Sequence, residues 1–228
     1  MSGSTVGLSS MATRQILAEL ARAYEDRTGV RVEFRSMGGV EAAKLVRAGE
    51  PADVVVLASR VMESLESEGR VVKGSRRDLA RSEIGVAVPA DASKPGLGSE
   101  AAVRQAMLNA RRICYSTGPS GDHLKALCEK WGAGDVLGRA LVAPPGVPVA
   151  SLVASREADL GFQQLSELIG QPGIDIAGPL PPEIQSVTVF SAGVCSASAS
   201  PEAAGRLIAY MASAETAPVK RRHGMEPA

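Results

Sequence analysis

Short apolar runs of strand length alternate with segments of helical periodicity along almost the whole chain of 228 residues. Residues 12–28 show the helical pattern, with apolar side chains every three or four positions before Gly29. Residues 52–57 are a continuous apolar run, which is typical of a strand buried on both faces. Strands that alternate with helices favour a mostly parallel sheet with right-handed crossovers. We therefore expect an α/β fold in which helices flank each sheet.

Three predicted strand-to-helix turns are rich in serine and glycine. In an open α/β sheet, such turns gather at the carboxyl ends of the strands, where ligands bind. A helix that begins there points free backbone N–H groups and the positive end of its dipole at an anion. Ordinary helix capping explains any one of these turns, whereas three together favour an anion site. The turns comprise Ser9 and Ser10, then Ser36, Gly38 and Gly39, and finally residues 115–124 with the sequence YSTGPSGDHL.

The composition excludes several classes of protein. Lys and Arg number 25 and Asp and Glu number 25, so no net field attracts nucleic acid or an anionic membrane. Aromatic residues make up only 3%, which argues against platforms for stacked bases. The chain has no apolar stretch long enough to cross a membrane. We expect no nucleic-acid partner and no membrane insertion.

The sequence contains no recognisable metal or cofactor motif. The three cysteines form no CxxC pair, which argues against a zinc site or a disulfide framework. Walker, GxGxxG, HExxH and nucleophile-elbow patterns are missing from the sequence, so we expect no cofactor and no metal. Residues 1–5 lack the basic segment and apolar core of a signal peptide. The sequence as it stands predicts a cytoplasmic protein, or a periplasmic one if a leader has been removed.

Two long strand candidates stand apart from the alternation, at residues 84–88 and 187–195. If both cross between two lobes, the middle of the chain forms one lobe and the two ends form the other. The predicted lobes are residues 1–84 with 191–228, and residues 85–190. The serine- and glycine-rich loops would then line a cleft between the lobes.

At this point the chain resembles the type II periplasmic binding proteins, in particular the molybdate-binding group. The resemblance rests on LSSM at residues 8–11, AGEPADV at 48–54, YSTGPSG at 115–121 and ADLGF at 158–162. These motifs cover nearly the whole chain in the family's order. The resemblance implies two α/β lobes, joined by two crossover strands, that close over an anion.

The loops and the resemblance together give a set of predicted ligand-binding residues. The first loop and the Gly38-Gly39 turn belong to lobe one, while the 116–120 loop, Val147 and Gln164 belong to lobe two. The full set is Ser9, Ser10, Met11, Arg14, Ser36, Gly38, Gly39, Ser116, Thr117, Ser120, Val147, Gln163 and Gln164.

The sequence departs from the molybdate binders at two places. Those proteins place a serine where this chain has Gly38 and Gly39, and a tyrosine where it has Gln163 and Gln164. Glycines enlarge the pocket, and amides offer both donors and acceptors. The departures favour an organic di- or tricarboxylate over a compact metal oxyanion. Some proteins that resemble this group are isomerases of small tricarboxylic acids such as aconitate.

Two charged or titratable residues are candidates for a role at the ligand. His123 lies just inside the helix after the third loop, where it could move a proton on a bound organic acid. A solvated first-turn side chain is the alternative. Arg14 lies in the first turn of the first long helix, where a cation opposes the dipole. That placement hints at a carboxylate clamp, and a structural salt bridge is the alternative.

The sequence leaves three functions open. The protein is a solute-binding-like protein for a small carboxylate, a cytoplasmic isomerase of a tricarboxylic acid that uses His123, or a molybdate- or tungstate-binding protein of an ABC transporter. The expected partners are a small anionic ligand and, if the protein is exported, the membrane component of a transporter.

Overall fold

In the computed structural model, which describes residues 4–144 and 146–228, the chain forms two compact units. Unit one comprises the described residues up to Ser82 together with Thr188–Ala228, and unit two is Glu83–Val187. The division falls slightly before the predicted boundaries because Thr188 pairs with Ser82 in the sheet of unit one. Residues 1–3, which the expectation about a leader concerns, lie outside the described residues.

The elements alternate as the sequence predicts, with short additional ones. The strands are β1 Thr5–Ser10, β2 Val32–Met37, β3 Val54–Ala58, β4 Arg77–Ser82, β5 Ile84–Pro89, β6 Ile113–Ser116, β7 Leu141–Ala143, β8 Leu160–Gln164, β9 Ile174–Pro179, β10 Thr188–Val194 and β11 Met225–Pro227. The helices are α1 Arg14–Thr28, α2 Gly39–Arg47, α3 Ser59–Ser67, α4 Glu100–Asn109, α5 Pro119–Lys130, α6 Gly134–Gly138, α7 Val149–Ala154, α8 Leu165–Leu168, α9 Pro201–Ala212 and α10 Ala217–Arg222. Single 3-10 turns occupy Met11–Thr13, Pro182–Ile184 and Ala214–Thr216.

Unit one contains a six-stranded sheet with the order β11-β4-β10-β3-β1-β2. The β1–β2 and β1–β3 pairs are parallel, because α1 and α2 provide the helical crossovers that parallel neighbours require. The β10–β3, β10–β4 and β11–β4 pairs are antiparallel. The prediction of a mostly parallel sheet is therefore wrong in detail, since β10 enters this sheet directly from unit two without a crossover helix from β3.

Unit two contains a five-stranded sheet with the order β7-β6-β8-β5-β9. Here too the sheet is mixed. The β6–β7 and β6–β8 pairs are parallel, and β5 runs antiparallel to both β8 and β9. The carboxyl ends of β7, β6 and β8 consequently meet at one edge of the sheet. The predicted α/β class, with two units that each contain a sheet flanked by helices, is confirmed.

Each unit has its own apolar core. In unit one, the stripe of α1 that includes Leu17 and Leu20 packs on Val54, Val56 and other residues of the sheet. In unit two, Phe162 is fully buried among residues of the sheet, α4 and α5. No helix among the described residues has the length and apolar character needed to cross a membrane.

Candidate functional site

The carboxyl edge of the parallel strands in unit one carries the first predicted loops. β1 and β2 pair in register, with Ser9 opposite Ser36 and their hydroxyl oxygens 2.8 Å apart. Ser9 is fully buried and Ser36 is half-buried. The two serines share one hydrogen bond, so one hydroxyl proton remains available to an acceptor at the edge.

Ser10 and the glycine turn lie together on the other face of the same edge. A Cβ atom added to Gly39 would lie 3.9 Å from the Ser10 Cβ atom, whereas Gly38 has open space around it. No side chain caps the nine-residue helix α2, whose N-cap residue is Gly38. Ser10 and the first turn of α2 therefore form a small polar cradle with room beside the glycines, and ligand binding there stays a prediction. Met11 is half-buried in the 3-10 turn that follows Ser10.

The two arginines near these loops behave differently. Arg14 is exposed at the first position of α1 and forms no ion pair with the residues that the structure describes. Arg35, which lies in β2 just before the second loop, donates to Glu50 at 2.8 Å. Arg35 therefore has the salt-bridge role, and the role of Arg14 as a ligand clamp stays a prediction.

A polar cluster that the sequence did not reveal lies at the end of β3 in unit one. The Ser191 hydroxyl of β10 donates to the Asp78 Oδ1 atom at 2.5 Å, and the Ser59 hydroxyl lies 3.3 Å from the same oxygen. The Ser59 and Ser191 hydroxyls also contact each other. These residues are far apart in sequence and meet only through the antiparallel pairing of β10 with β3 and β4.

The second edge belongs to unit two and carries the third predicted loop. Ser116 ends β6, opposite Ala143 of β7, and Gly118 follows with a φ of 124°, a conformation that favours glycine. No side chain caps the twelve-residue helix α5. Ser120 is buried in its first turn, and Thr117 is exposed. The backbone N–H groups at the start of α5 and the loop hydroxyls form a second region suited to an anion.

A pair of glutamines, Gln163 and Gln164, lies at the same edge, at the end of β8. Gln163 and Gln164 are both buried. The Gln163 Nε2 atom donates to Glu167 at 2.7 Å, and its Oε1 atom has no hydrogen-bond partner within the described ranges. The spare group of Gln163 is thus an acceptor, which suits a hydroxyl, water or protonated carboxyl group better than a carboxylate oxygen.

Val147 belongs to the loop after β7. Its side chain is 36% exposed, and its backbone N–H donates to the Pro144 carbonyl at 3.0 Å in a turn. Its neighbour Pro145 lies outside the described residues. The placement leaves Val147 accessible at this edge, and its ligand contact stays a prediction.

His123 makes a contact that the sequence did not indicate. Its Nε2 atom lies 2.7 Å from the Ile184 carbonyl oxygen. A carbonyl oxygen can only accept, so Nε2 carries the proton and the ring links α5 to the 3-10 turn Pro182–Ile184. This contact gives His123 a structural role, and proton transfer by the other ring nitrogen stays a prediction.

The three cysteine thiols are unsuited to nucleophilic chemistry. Burial, the first cause in each case, raises the pKa of Cys114 to about 12, of Cys128 to about 11 and of Cys195 to about 12. All three side chains are buried and none forms a disulfide. Thiolate is the reactive species, so these thiols are inert in the folded protein.

We expect the native protein to resist alkylation by iodoacetamide at about pH 8, because its thiols are buried and protonated. The guanidinium-unfolded chain should take up three labels in the same time. Intact mass spectrometry of both samples measures the difference. Rapid labelling of the native protein would contradict the buried placement of whichever cysteine reacts.

Comparison with known proteins agrees with this architecture. A family model described as "Bacterial extracellular solute-binding protein" matches residues 6–226. The sequence is 38% identical over 228 residues to an aconitate isomerase from Pseudomonas sp, a match that covers 96% of this chain and 86% of the relative. The chain therefore belongs to the bacterial extracellular solute-binding proteins.

Solved structures show the same fold. The periplasmic molybdate-binding protein of Azotobacter vinelandii superposes with a TM-score of 0.77 at 24% identity, over 97% of this chain and 98% of that one. A tungstate ABC transporter structure from Geobacter sulfurreducens gives a TM-score of 0.69 at 16% identity, over 95% and 97% of the two chains. Together with the family model, this shared fold confirms the resemblance to the periplasmic binding proteins.

Proposed function

We propose that this protein binds a small di- or tricarboxylate, with aconitate as the first candidate, and that it isomerises the bound acid. The observation that carries the proposal is the 38% identity to an aconitate isomerase across 96% of the chain. The two edges support it, because each offers serine hydroxyls and an uncapped helix start to an anion.

The choice of a carboxylate over a metal oxyanion has support in the individual residues. Open space beside Gly38 suits a ligand larger than a tetrahedral oxyanion. The buried Gln163 Oε1 atom can accept from a water that accompanies the ligand or from a hydroxyl group on an organic acid. Molybdate and tungstate stay alternatives because solved structures of the same fold are named for those ions.

A purely solute-binding role is the second candidate function. The family description is the observation that favours it. In that case the protein is periplasmic and delivers its ligand to the membrane component of an ABC transporter. Binding without chemistry separates this function from the isomerase.

The test has two stages. Thermal unfolding with cis-aconitate, trans-aconitate, citrate, molybdate or tungstate first identifies the ligand, since a ligand at 100 times its Kd adds about 2.7 kcal/mol. NMR then follows interconversion of the two aconitates. Stabilisation by aconitate with interconversion supports the proposal, and stabilisation without interconversion supports the solute-binding role. Stabilisation by molybdate alone would contradict the choice of ligand.

Variants in each unit show whether both edges bind the same anion. Ser10→Ala and Ser116→Ala should each weaken aconitate binding by at least tenfold, because a hydrogen bond to a charged group contributes about 1.5–3 kcal/mol. Ser67→Ala, an exposed serine at the end of α3, is the matched control. Calorimetric titration measures the three affinities. Unchanged affinity in the Ser10 variant would remove the edge of unit one from the binding site.

A further inference from the structure

Four neighbouring strands of unit one carry a row of side chains that ends in a carboxylate. The parallel register places Ser9 of β1 level with Val56 of β3, so Ser10 and Leu57 are the next residues of the two strands. Leu57 lies opposite Ser191 of β10, and Ser191 lies opposite Asp78 of β4. Residues opposite each other point to the same face of a sheet. Adjacent strands are about 4.8 Å apart, so the Asp78 position, three strands from β1, lies about 14 Å from that of Ser10.

The carboxylate at the end of this row is held on one side only. Asp78 Oδ1 accepts from the buried Ser191 hydroxyl and lies within hydrogen-bond distance of the Ser59 hydroxyl. Within the described ranges, Asp78 Oδ2 makes no hydrogen bond, and no cation pairs with the exposed carboxylate. The neighbouring guanidinium of Arg77 donates instead to the carbonyls of Gly74 and Arg76. Asp78 thus has one oxygen fixed by hydroxyls and one oxygen free.

An unpaired carboxylate at an edge suited to anions opposes simple anion binding, since like charges repel. It is the group that proton transfer requires, because a fixed carboxylate with a free oxygen can act as a general base. The start of α3, at Ser59, carries no acidic residue in its first turn. Its backbone N–H groups would favour negative charge that develops on a substrate.

We propose that Asp78 is the group that moves the proton in the isomerisation proposed above, and that Ser59 and Ser191 position its carboxylate. The inference rests on that proposed function. Asp78 Oδ2 removes a proton from the methylene carbon next to the double bond of the acid. The C–H electron pair enters the conjugated carboxylate system, and the double bond shifts by one carbon. Asp78 then delivers a proton to the former alkene carbon, and while the carboxyl group holds that proton it can exchange with solvent, so protons and electrons balance without a co-reactant.

This assignment differs from the one that the sequence suggested. His123 donates through Nε2 to the Ile184 carbonyl, which uses one of its two ring nitrogens in the fold. Asp78 has a free oxygen at the edge that carries Ser10 and the glycine turn. Variants of the two residues therefore give different expected results.

The experiment compares Asp78→Asn with His123→Gln and with Asp26→Asn, an exposed aspartate near the end of α1. Asp78→Asn should bind trans-aconitate at least as well as the wild type but lose roughly 10²–10⁴-fold in turnover. It should also fail to exchange the methylene protons of the acid with deuterium. Asp26→Asn, the control, should keep turnover within about threefold, because it removes no candidate group for proton transfer.

Ser59 provides a second test that does not depend on the fold of the Asp78 variant. Ser59→Ala should lose about tenfold in kcat with little change in KM, as the loss of one charge-assisted hydrogen bond predicts. Ser59→Thr keeps the hydroxyl and should restore kcat. Equal kcat values in the alanine and threonine variants and the wild type would overturn the positioning role.

The outcomes separate this inference from the proposed function. A wild-type protein that binds acids but neither isomerises them nor exchanges their protons overturns the proposed function and this inference together. A wild-type protein that isomerises aconitate while Asp78→Asn keeps full turnover overturns the assignment of Asp78 alone. If the His123→Gln variant loses turnover while the Asp78→Asn variant keeps wild-type turnover, proton transfer belongs to the histidine.

Discussion

We expect the Asp53→Ala variant to lose about 3 kcal/mol of unfolding free energy, because two hydrogen bonds to a buried carboxylate disappear together. Asp53 is 9% exposed. Its carboxylate accepts from the Val6 backbone N–H at 3.0 Å and from the Ser198 hydroxyl at 2.6 Å. These bonds tie the start of β3 to β1 and to the segment after β10. The loss is a large fraction of the total stability of a typical domain.

Urea unfolding followed by circular dichroism measures this loss. The unfolding free energy of the variant should fall with urea concentration at the same slope as that of the wild type. Asp53→Asn should fall between the alanine variant and the wild type, because an amide oxygen accepts one bond while the amide nitrogen accepts none. Asp26→Ala is the control and should stay within about 0.5 kcal/mol of the wild type. If Asp53→Ala unfolds at the same urea concentration as Asp26→Ala, the carboxylate does not hold the strands together.

Asp53 also shows how a sequence motif and its physical role can differ. The AGEPADV segment at residues 48–54 is one of the four motifs that carry the family resemblance. In the structure its aspartate accepts hydrogen bonds within the fold. The motif therefore identified the family through hydrogen bonds that hold the fold together, while the predicted site lies at the opposite ends of the strands.

The local pattern of the sequence was sufficient to predict the edge of each unit. An apolar run followed by serine, glycine and a helical stripe predicts a turn at the carboxyl end of a parallel strand. Parallel pairing of β1 with β2 then brings the hydroxyl oxygens of Ser9 and Ser36 to 2.8 Å from each other. The ligand contacts themselves stay predictions. Short elements such as β4, with its alternating charges, and α6 lack a periodicity long enough to be recognised.

The sequence pattern does not predict contacts that depend on antiparallel strand pairing. Ser59 and Asp78 meet Ser191 only because β10 lies between β3 and β4. The partner of His123 is likewise the carbonyl of Ile184, on a 3-10 turn far along the chain. Local periodicity reports which face of an element is apolar, and it contains no information about which distant strands become neighbours.

The Gly121→Ala variant should lose about 3 kcal/mol of stability and most of its affinity for the anion. Gly121 lies in the first turn of α5, and a Cβ atom built there would lie 2.0 Å from the Ser116 carbonyl oxygen and 3.0 Å from a Tyr115 ring carbon. A backbone carbonyl cannot rotate away as a flexible side chain can. Either β6 or α5 must shift, and overpacking of this kind costs about 1–3 kcal/mol or more.

The same shift would move the 116–120 loop, so loss of affinity and loss of stability are expected together. Fluorescence of Trp131, the single tryptophan, reports unfolding of unit two because its indole N–H donates to Glu100 at 2.6 Å. Gly205→Ala in α9 is the matched control, since nothing lies within 4 Å of its added Cβ. That control should gain about 0.5–1 kcal/mol, because alanine favours a helix interior over glycine. A Gly121 variant that is as stable as the Gly205 variant and binds aconitate normally would show that α5 does not press on the loop.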